Sequence, residues 1–276
     1  MNEEEFTQKA LALLNSGKYE KALRGKQVAV IGAGGAGGNI VEGMARNGLN
    51  RMEGVDSIVI NSDERMMQSH PTVKKKVLIG KNIVPNPNGA GGDRRLARKM
   101  VDGARESIEV LISPYPVVVV IAGLGGGTGS ELITEISRMS VGAGKVTMAI
   151  PVLPFKAESG RRAASKRILL GLRQTGAMVA EMDNEMLNSS GLAASISMDA
   201  AYQIINRTIM KKIEDLHSSA RKAVMDEIVR DIMAQMETAP AQESPMMEAV
   251  EIPQAVTASE NAPVLGDAIE INMNAE

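Results

Sequence analysis

Gly123-Leu124-Gly125-Gly126-Gly127-Thr128-Gly129-Ser130 follows Pro116-Val117-Val118-Val119-Val120-Ile121-Ala122, the strongest strand signal in the chain, and opens a helical pattern over about 128–141. A continuous apolar strand of this kind belongs in a sheet covered on both faces. Glycines between its end and a helix start leave backbone N–H groups unscreened by Cβ atoms, and the helix N-terminus adds partial positive charge. Such a loop can hold phosphate through the backbone alone. Thr128 and Ser130 add hydroxyl donors.

About 90 residues earlier the arrangement occurs once before: Val28-Ala29-Val30-Ile31 runs into Gly32-Ala33-Gly34-Gly35-Ala36-Gly37-Gly38-Asn39, and a helix is expected over 39–49. Between and beyond the two loops, strands are expected at 55–60, 76–79, 145–150 and 177–182. Helices are expected at 94–112 and 158–176. Strands alternating with helices imply an α/β fold of three layers, a mostly parallel sheet with helices on both faces. Ile205, Ile209, Ile213, Leu216, Ala220, Val224, Ile228 and Ile232 then recur every three or four residues. They predict a long C-terminal helix, either unbroken or interrupted near His217-Ser218-Ser219, and roughly 60 Å long if unbroken.

Composition removes several chemistries. There is no cysteine, which excludes disulfides, thiolate metal sites and cysteine nucleophiles. His70 and His217 are the only histidines, so no multi-histidine metal centre is expected. With three Tyr, two Phe and no Trp, the chain lacks the stacking platforms of single-strand binders, and no nucleic-acid partner is expected. No apolar run is long enough to span a membrane, the start of the chain lacks a signal-peptide profile, and a cytoplasmic location is expected. The last 40 residues hold eight acids and no Lys or Arg, leaving 31 basic and 25 acidic groups in the rest. Residues 1–26 are read as an N-terminal helix, 27–217 as the nucleotide domain, 218–236 as its helical extension and 237–276 as an acidic disordered tail. The long helix and tail suit self-association or a protein partner. Membrane association would be indirect, since anionic lipid repels the tail.

Gly32, Gly34 and Gly37 form G-x-G-x-x-G, which by itself suggests a dinucleotide enzyme. That reading wants an acid at the end of the second strand to hold a ribose. Asn61 stands there, with Asp63 beyond it. An NAD(P)-dependent oxidoreductase also has no use for the second glycine loop. No Walker sequence is present.

Gly125 to Ser130 resembles the G-G-G-T-G-S signature of the tubulin/FtsZ superfamily, and Ile31 to Asn39 is similar to the first phosphate loop of its FtsZ branch. The resemblance extends over about 27–216 and implies bound GTP or GDP, with Mg2+ as companion of the nucleotide. It implies phosphate contacts from Gly34, Gly35, Ala36, Gly37, Gly38 and Asn39, from Gly89-Ala90-Gly91-Gly92, and from Gly125, Gly126, Gly127, Thr128, Gly129 and Ser130. Asn61 lies in a segment resembling the family's V-N-T-D. Pro154-Phe155-Lys156-Ala157-Glu158 with Arg162 resembles its P-F-x-x-E…R, implying that Glu158 and Arg162 contact the nucleoside. Asn184 matches the guanine-binding asparagine, and Tyr202 and Asn206 match residues that stack on the base and hydrogen-bond it.

The chain also departs from the family pattern. Glu131 replaces a glycine after the signature loop, and Asp93-Arg94-Arg95 replaces N-P-E-x-G, which makes Arg94 or Arg95 a candidate for the γ-phosphate. No N-x-D-x-x-D loop follows Leu216, so no catalytic residue is assigned and whether GTP is hydrolysed stays open. The closest outline is a truncated FtsZ-like protein without the C-terminal domain. That implies a nucleotide-dependent assembly or scaffold element in cell division or membrane remodelling, with weak or partner-dependent GTP hydrolysis. A scaffold with a degenerate, non-hydrolysing nucleotide site is the structural alternative.

Overall fold

The computed structural model describes residues 27–84, 88–186 and 198–238, the side chains of 198–202 and 235–238 excepted. The expected N-terminal helix lies outside the described residues, as does the acidic tail from 239 onward. All that follows concerns the unit that ends at Glu237.

In chain order the elements are β1 (Val28–Ala33), α1 (Gly34–Arg46), a 3-10 turn (Leu49–Arg51), β2 (Val55–Asn61), α2 (Glu64–Gln68), β3 (Lys75–Leu78), α3 (Arg94–Asp102), α4 (Arg105–Ile112), β4 (Val117–Gly123), α5 (Thr128–Gly142), β5 (Val146–Leu153), α6 (Ser159–Arg173), β6 (Met178–Val179), β7 (Met182–Asp183) and α7 (Met198–Thr238). The strands form one sheet of order β3-β2-β1-β4-β5-β6, with β7 also on β5. Every pairing is parallel.

Alternation along the strands divides the core in two. Ala29, Ile31, Val118 and Val120 face one way, onto Met100, Ile108, Leu132, Ile136, Ile168 and Leu172 of α3 to α6. Val28, Val30, Val119 and Ile121 face the other way, onto Ile40, Val41 and Met44 of α1 and Ile205, Ile209 and Ile213 of α7. This is the three-layer α/β fold the alternating pattern implies, and it closes with the long helix. Among the described residues no helix is long and apolar enough to cross a membrane.

Three boundaries differ from expectation, and of the two forms left open for the long helix the unbroken one is found. Helix α1 begins at Gly34 rather than Asn39, so the glycine run forms its first turns. The expected 94–112 helix breaks at Gly103-Ala104, where Asn82 Nδ2 donates to Gly103 O at 3.3 Å. The expected 177–182 strand is two short strands, β6 and β7, with Ala180 N donating to Ala149 O between them at 2.9 Å. Helix α7 runs 41 residues without a break. His217 Nε2 lies 2.8 Å from Glu53 O, and Ser219 Oγ donates to Asp215 O at 2.9 Å, so both polar groups are satisfied with the helix intact.

The amino ends of the strands carry a closed polar cluster. Tyr115 OH donates to Asp56 Oδ2 at 2.5 Å, Lys75 Nζ reaches the same oxygen at 2.8 Å, and Lys75 Nζ lies 2.6 Å from the Tyr115 hydroxyl. Burial works to raise the Asp56 pKa, but hydrogen bonds from Lys75 and Tyr115 and the charges of Lys75 and Lys74 outweigh it and hold it at about 2. Burial and the Asp56 hydrogen bond push the Tyr115 phenol up to about 12. Lys145 Nζ donates to Ser113 O and Tyr115 O, both at 2.9 Å.

Candidate functional site

The carboxyl ends of the strands are built differently. β1 leads outward to β2 on one side while β4 enters on the other, so the sheet reverses its winding between β1 and β4. Ligands of open α/β sheets bind in the crevice at such a switch point. Both glycine loops lie there, at the ends of β1 and β4, and each opens a helix.

Those two helix starts have no side-chain cap: neither Ala33 before α1 nor Gly127 before α5 contributes one. Capping elsewhere is mixed: α4 and α6 also start without a side-chain cap, whereas α2 and α3 have one. Asp63 accepts from Arg65 N at the start of α2, and Asp93 accepts from Arg95 N and Leu96 N at the start of α3. The first amides of a helix need partners, and at α1 and α5 the preceding residue's side chain does not meet that need.

The loops touch. Gly34 has φ +69° and lies so close to the second loop that a Cβ there would sit 2.8 Å from Gly129 N. Gly127 meets the third loop: a Cβ on it would lie 3.1 Å from Ala90 Cβ and 3.4 Å from Asp93 O. The third loop is anchored by Gly89 N, which donates to Ser62 O at 2.9 Å. Leu124 N donates to Val152 O at 2.9 Å and ties the second loop to the end of β5. Gly34–Asn39, Gly89–Gly92 and Gly125–Ser130 therefore converge on one crevice. Within it the glycines have unequal roles. A Cβ on Gly37 would fall 2.2 Å from Ile121 O, so Gly37 seats α1 against β4. Gly126, by contrast, faces open space.

Polar side chains around the loops are incompletely used. Ser62 Oγ and Thr128 Oγ1 share a buried hydrogen bond of 2.6 Å. Asn61 Oδ1 accepts from Ser62 N at 2.8 Å and Asp63 N at 3.3 Å, while Asn61 Nδ2 is buried without a partner among the described residues. Ser130 Oγ is buried and unpartnered in the same sense.

Glu131 turns away from the phosphate loop. It accepts from Arg94 Nε at 2.9 Å and Nη2 at 2.5 Å and from Arg98 Nε at 3.3 Å, which neutralises a carboxylate only 8% exposed. Arg94, a candidate for the γ-phosphate, is bound here to Glu131.

Farther along the carboxyl edge, Glu158 accepts from Phe155 N at 3.2 Å and Arg161 Nη1 at 2.8 Å. The Arg161 hydrogen bond draws the Glu158 pKa below its usual value. Arg162 does not pair with Glu158; its two terminal nitrogens donate to Asp183 at 2.7 and 2.5 Å, and Nη1 also reaches Pro154 O at 2.5 Å. This fork holds the Asp183 carboxyl below its ordinary pKa. Beside it Asn184 N donates to Leu153 O at 3.2 Å, and Asn184 Oδ1 is buried without a partner among the described residues.

Asn206 lies one helical turn of α1 beyond Asn39: a Cβ on Gly43 would meet Asn206 Nδ2 at 2.5 Å. It lines a cavity of about 360 Å³ with Met44, Asn47, Arg207 and Lys211. Its neighbour Gln203 accepts from Asn47 Nδ2 at 3.3 Å. The side chain of Tyr202 lies outside the described residues. Ala36, Asn39 and Gly43 share a face of α1 that leads from the glycine loops toward this cavity. His70 carries no motif, yet its fully buried ring touches that face through Asn39, 31 positions away.

Residues 27–192 match the family described as "Tubulin/FtsZ family, GTPase domain". The cell division protein FtsZ 2 of Halobacterium salinarum is 26% identical over 190 residues, 69% of this chain and 47% of the relative. The cell division protein FtsZ of Helicobacter pylori is 31% identical over 155 residues, 56% of this chain and 39% of its own length. Among solved structures, an empty FtsZ dimer from M. jannaschii superposes with a TM-score of 0.63 at 25% identity, covering 79% of this chain and 59% of the other. A GTPγS-bound protofilament of CetZ2 from Haloferax volcanii gives 0.60 at 26%, covering 71% and 59%. The chain spans about half the length or less of the curated relatives named here.

Proposed function

We propose, from the premise that this chain belongs to the tubulin/FtsZ GTPase-domain family, which its match over residues 27–192 shows, that it binds GTP and GDP in the crevice between β1 and β4. The observation that carries this reading is the meeting of three glycine loops at two uncapped helix starts. Phosphates bring acceptor oxygens and negative charge to amides that lack both. Gly34, Gly35, Ala36, Gly125, Gly126, Thr128 and the Gly89–Gly92 loop hold the phosphates in this reading. Gly37, Gly38 and Gly129 let the elements approach. Asn61, with its free buried Nδ2, and Ser130, with its free hydroxyl, complete the polar lining. The nucleoside runs down the Ala36–Asn39–Gly43 face of α1 toward Asn206 and Tyr202, with Asn184, Glu158 and Arg162 on the β5 side. Amides both donate and accept, which suits a guanine edge.

Mg2+ fits as a companion of the phosphates rather than as a resident of a protein cage. Among the described residues no three His, Asp or Glu come together so as to hold a metal ion, and the Ser62 and Thr128 hydroxyls lie at the second glycine loop. Such an ion neutralises phosphate charge.

GTP hydrolysis is weak or depends on a partner in this reading, because no acidic group is assigned to water. Self-association is proposed by analogy with the dimer and protofilament of the structural neighbours. The biological setting is cell division or membrane remodelling. Equilibrium binding of GTP, ATP and NADH to the purified chain tests the first step. NADH binding without GTP binding would overturn it. Hydrolysis measured across protein concentrations tests the second: a rate per subunit that rises with concentration supports completion of the site by a neighbour, and a rate held at the buffer background supports a scaffold.

A further inference from the structure

The His70 imidazole is fully buried beside α1, where a Cβ on Gly38 would lie 2.9 Å from its Cε1. Nε2 lies 3.0 Å from Asn39 Oδ1. An amide oxygen only accepts, so in this pair Nε2 carries the proton. Nδ1 is then a lone pair, and it is buried without a partner among the described residues. An orphaned acceptor is the more tolerable arrangement, since buried orphan N–H groups are rare. The Met66 backbone carbonyl also acts on the ring as an acceptor and, like Glu42, works to raise its pKa, although it lies outside hydrogen-bonding geometry for Nδ1. Burial holds the imidazole below its ordinary pKa; Glu42 opposes this, while Lys76 and Arg46 reinforce it. The ring is therefore neutral at pH 7, with one proton to place.

Asn39 itself is exposed on the α1 face that leads from the glycine loops to the Asn206 cavity. With Oδ1 turned to His70, the planar amide directs Nδ2 the opposite way. We propose that His70 is a positioning residue that fixes the Asn39 amide, so that Asn39 offers the ligand groove two N–H donors and no acceptor. This rests on the nucleotide reading of the groove and adds a selection rule to it. The group that meets Asn39 must be an acceptor, either a base carbonyl or a phosphate oxygen. Without the imidazole the amide turns over freely, and that selection is lost.

Nitrogen-15 NMR of His70 reads the tautomer without any nucleotide. The neutral Nε2–H form is expected, and an Nδ1–H form would overturn the proposal even if GTP binds. Binding of GTP and ATP is then compared in the parent chain, His70→Phe, Asn39→Ala and the double variant. His70→Phe should weaken GTP roughly three- to ten-fold, and the double variant should bind no more weakly than Asn39→Ala. His70→Gln, which keeps a donor, should recover part of the loss. Additive losses, or a lowered Tm with unchanged affinity, would refute positioning. A loss shared equally by ATP places the acceptor on the phosphates, and a loss confined to GTP places it on the base. A parent chain that binds neither nucleotide sinks the nucleotide reading, and the tautomer still decides the His70–Asn39 geometry.

Discussion

The polar clusters at the two ends of the sheet differ in how much of their hydrogen bonding is met within the protein. At the amino end Asp56, Lys75 and Tyr115 satisfy one another, and Lys145 closes two backbone carbonyls. At the carboxyl end the helices that follow β1, β4 and β5 all begin without side-chain caps, and Asn61, Ser130 and Asn184 bury atoms that have no partner among the described residues. Both ends belong to the same strands, so strand chemistry does not explain the contrast. Internal pairing contributes to stability. Donors left open cost stability unless a ligand supplies the missing acceptors.

Substitutions at the two ends should therefore separate folding from binding. The largest effect is expected where both depend on one contact. Gly37→Ala drives a Cβ to within 2.2 Å of Ile121 O, a backbone atom that cannot turn aside. Denaturant unfolding should show a loss of about 3 kcal/mol or more. Wild-type stability in this variant would mean that α1 does not sit on β4 as described.

Acid should act on the amino end. The folded-state pKa of Asp56 is depressed to about 2, so its contribution is present above the ordinary carboxylate value and lost as pH falls. The window runs from about 4 down to about 2, and the contribution is about 2 kcal/mol. Unfolding followed across that window should show this loss in the parent chain and a smaller one in Asp56→Asn. Equal slopes would remove Asp56 as the cause.

Tyr115→Phe deletes one hydroxyl from the same cluster and leaves Asp56 with Lys75. A loss of about 1–2 kcal/mol in stability is expected, with GTP affinity unchanged by titration. A weakened affinity would break the separation between the two ends. Gly126→Ala is the opposite variant. No atom lies within 4 Å of its added Cβ, so stability should stay within about 0.5 kcal/mol. GTP affinity should fall about tenfold if phosphate lies against that backbone. Unchanged affinity would move the phosphates off the second loop.

Much of this was legible because it is local. Four consecutive valines and an isoleucine before a glycine run state a buried strand and a tight strand-to-helix turn within a dozen positions. The helical period of α7 needs no tertiary information either. The early start of α1 is not legible in the same way: propensity alone does not reveal that glycines continue a helix whose packing demands the absence of Cβ. Arg162 shows the same limit in the site. Its spacing suggests Glu158, four residues away, yet its fork closes on Asp183 because β7 brings that carboxylate alongside β5.

By itself, then, the sequence determined the α/β alternation, the two strand-end glycine loops and the exclusion of thiol chemistry, since each follows from residue type and short-range spacing. Only the tertiary structure decided which glycines face open space and which seat a helix. It also decided that Glu131 is neutralised by Arg94 and Arg98, and that a histidine 31 positions away holds Asn39. Those relations depend on distances between elements, and parallel strands joined by long crossovers bring together residues that no local pattern connects.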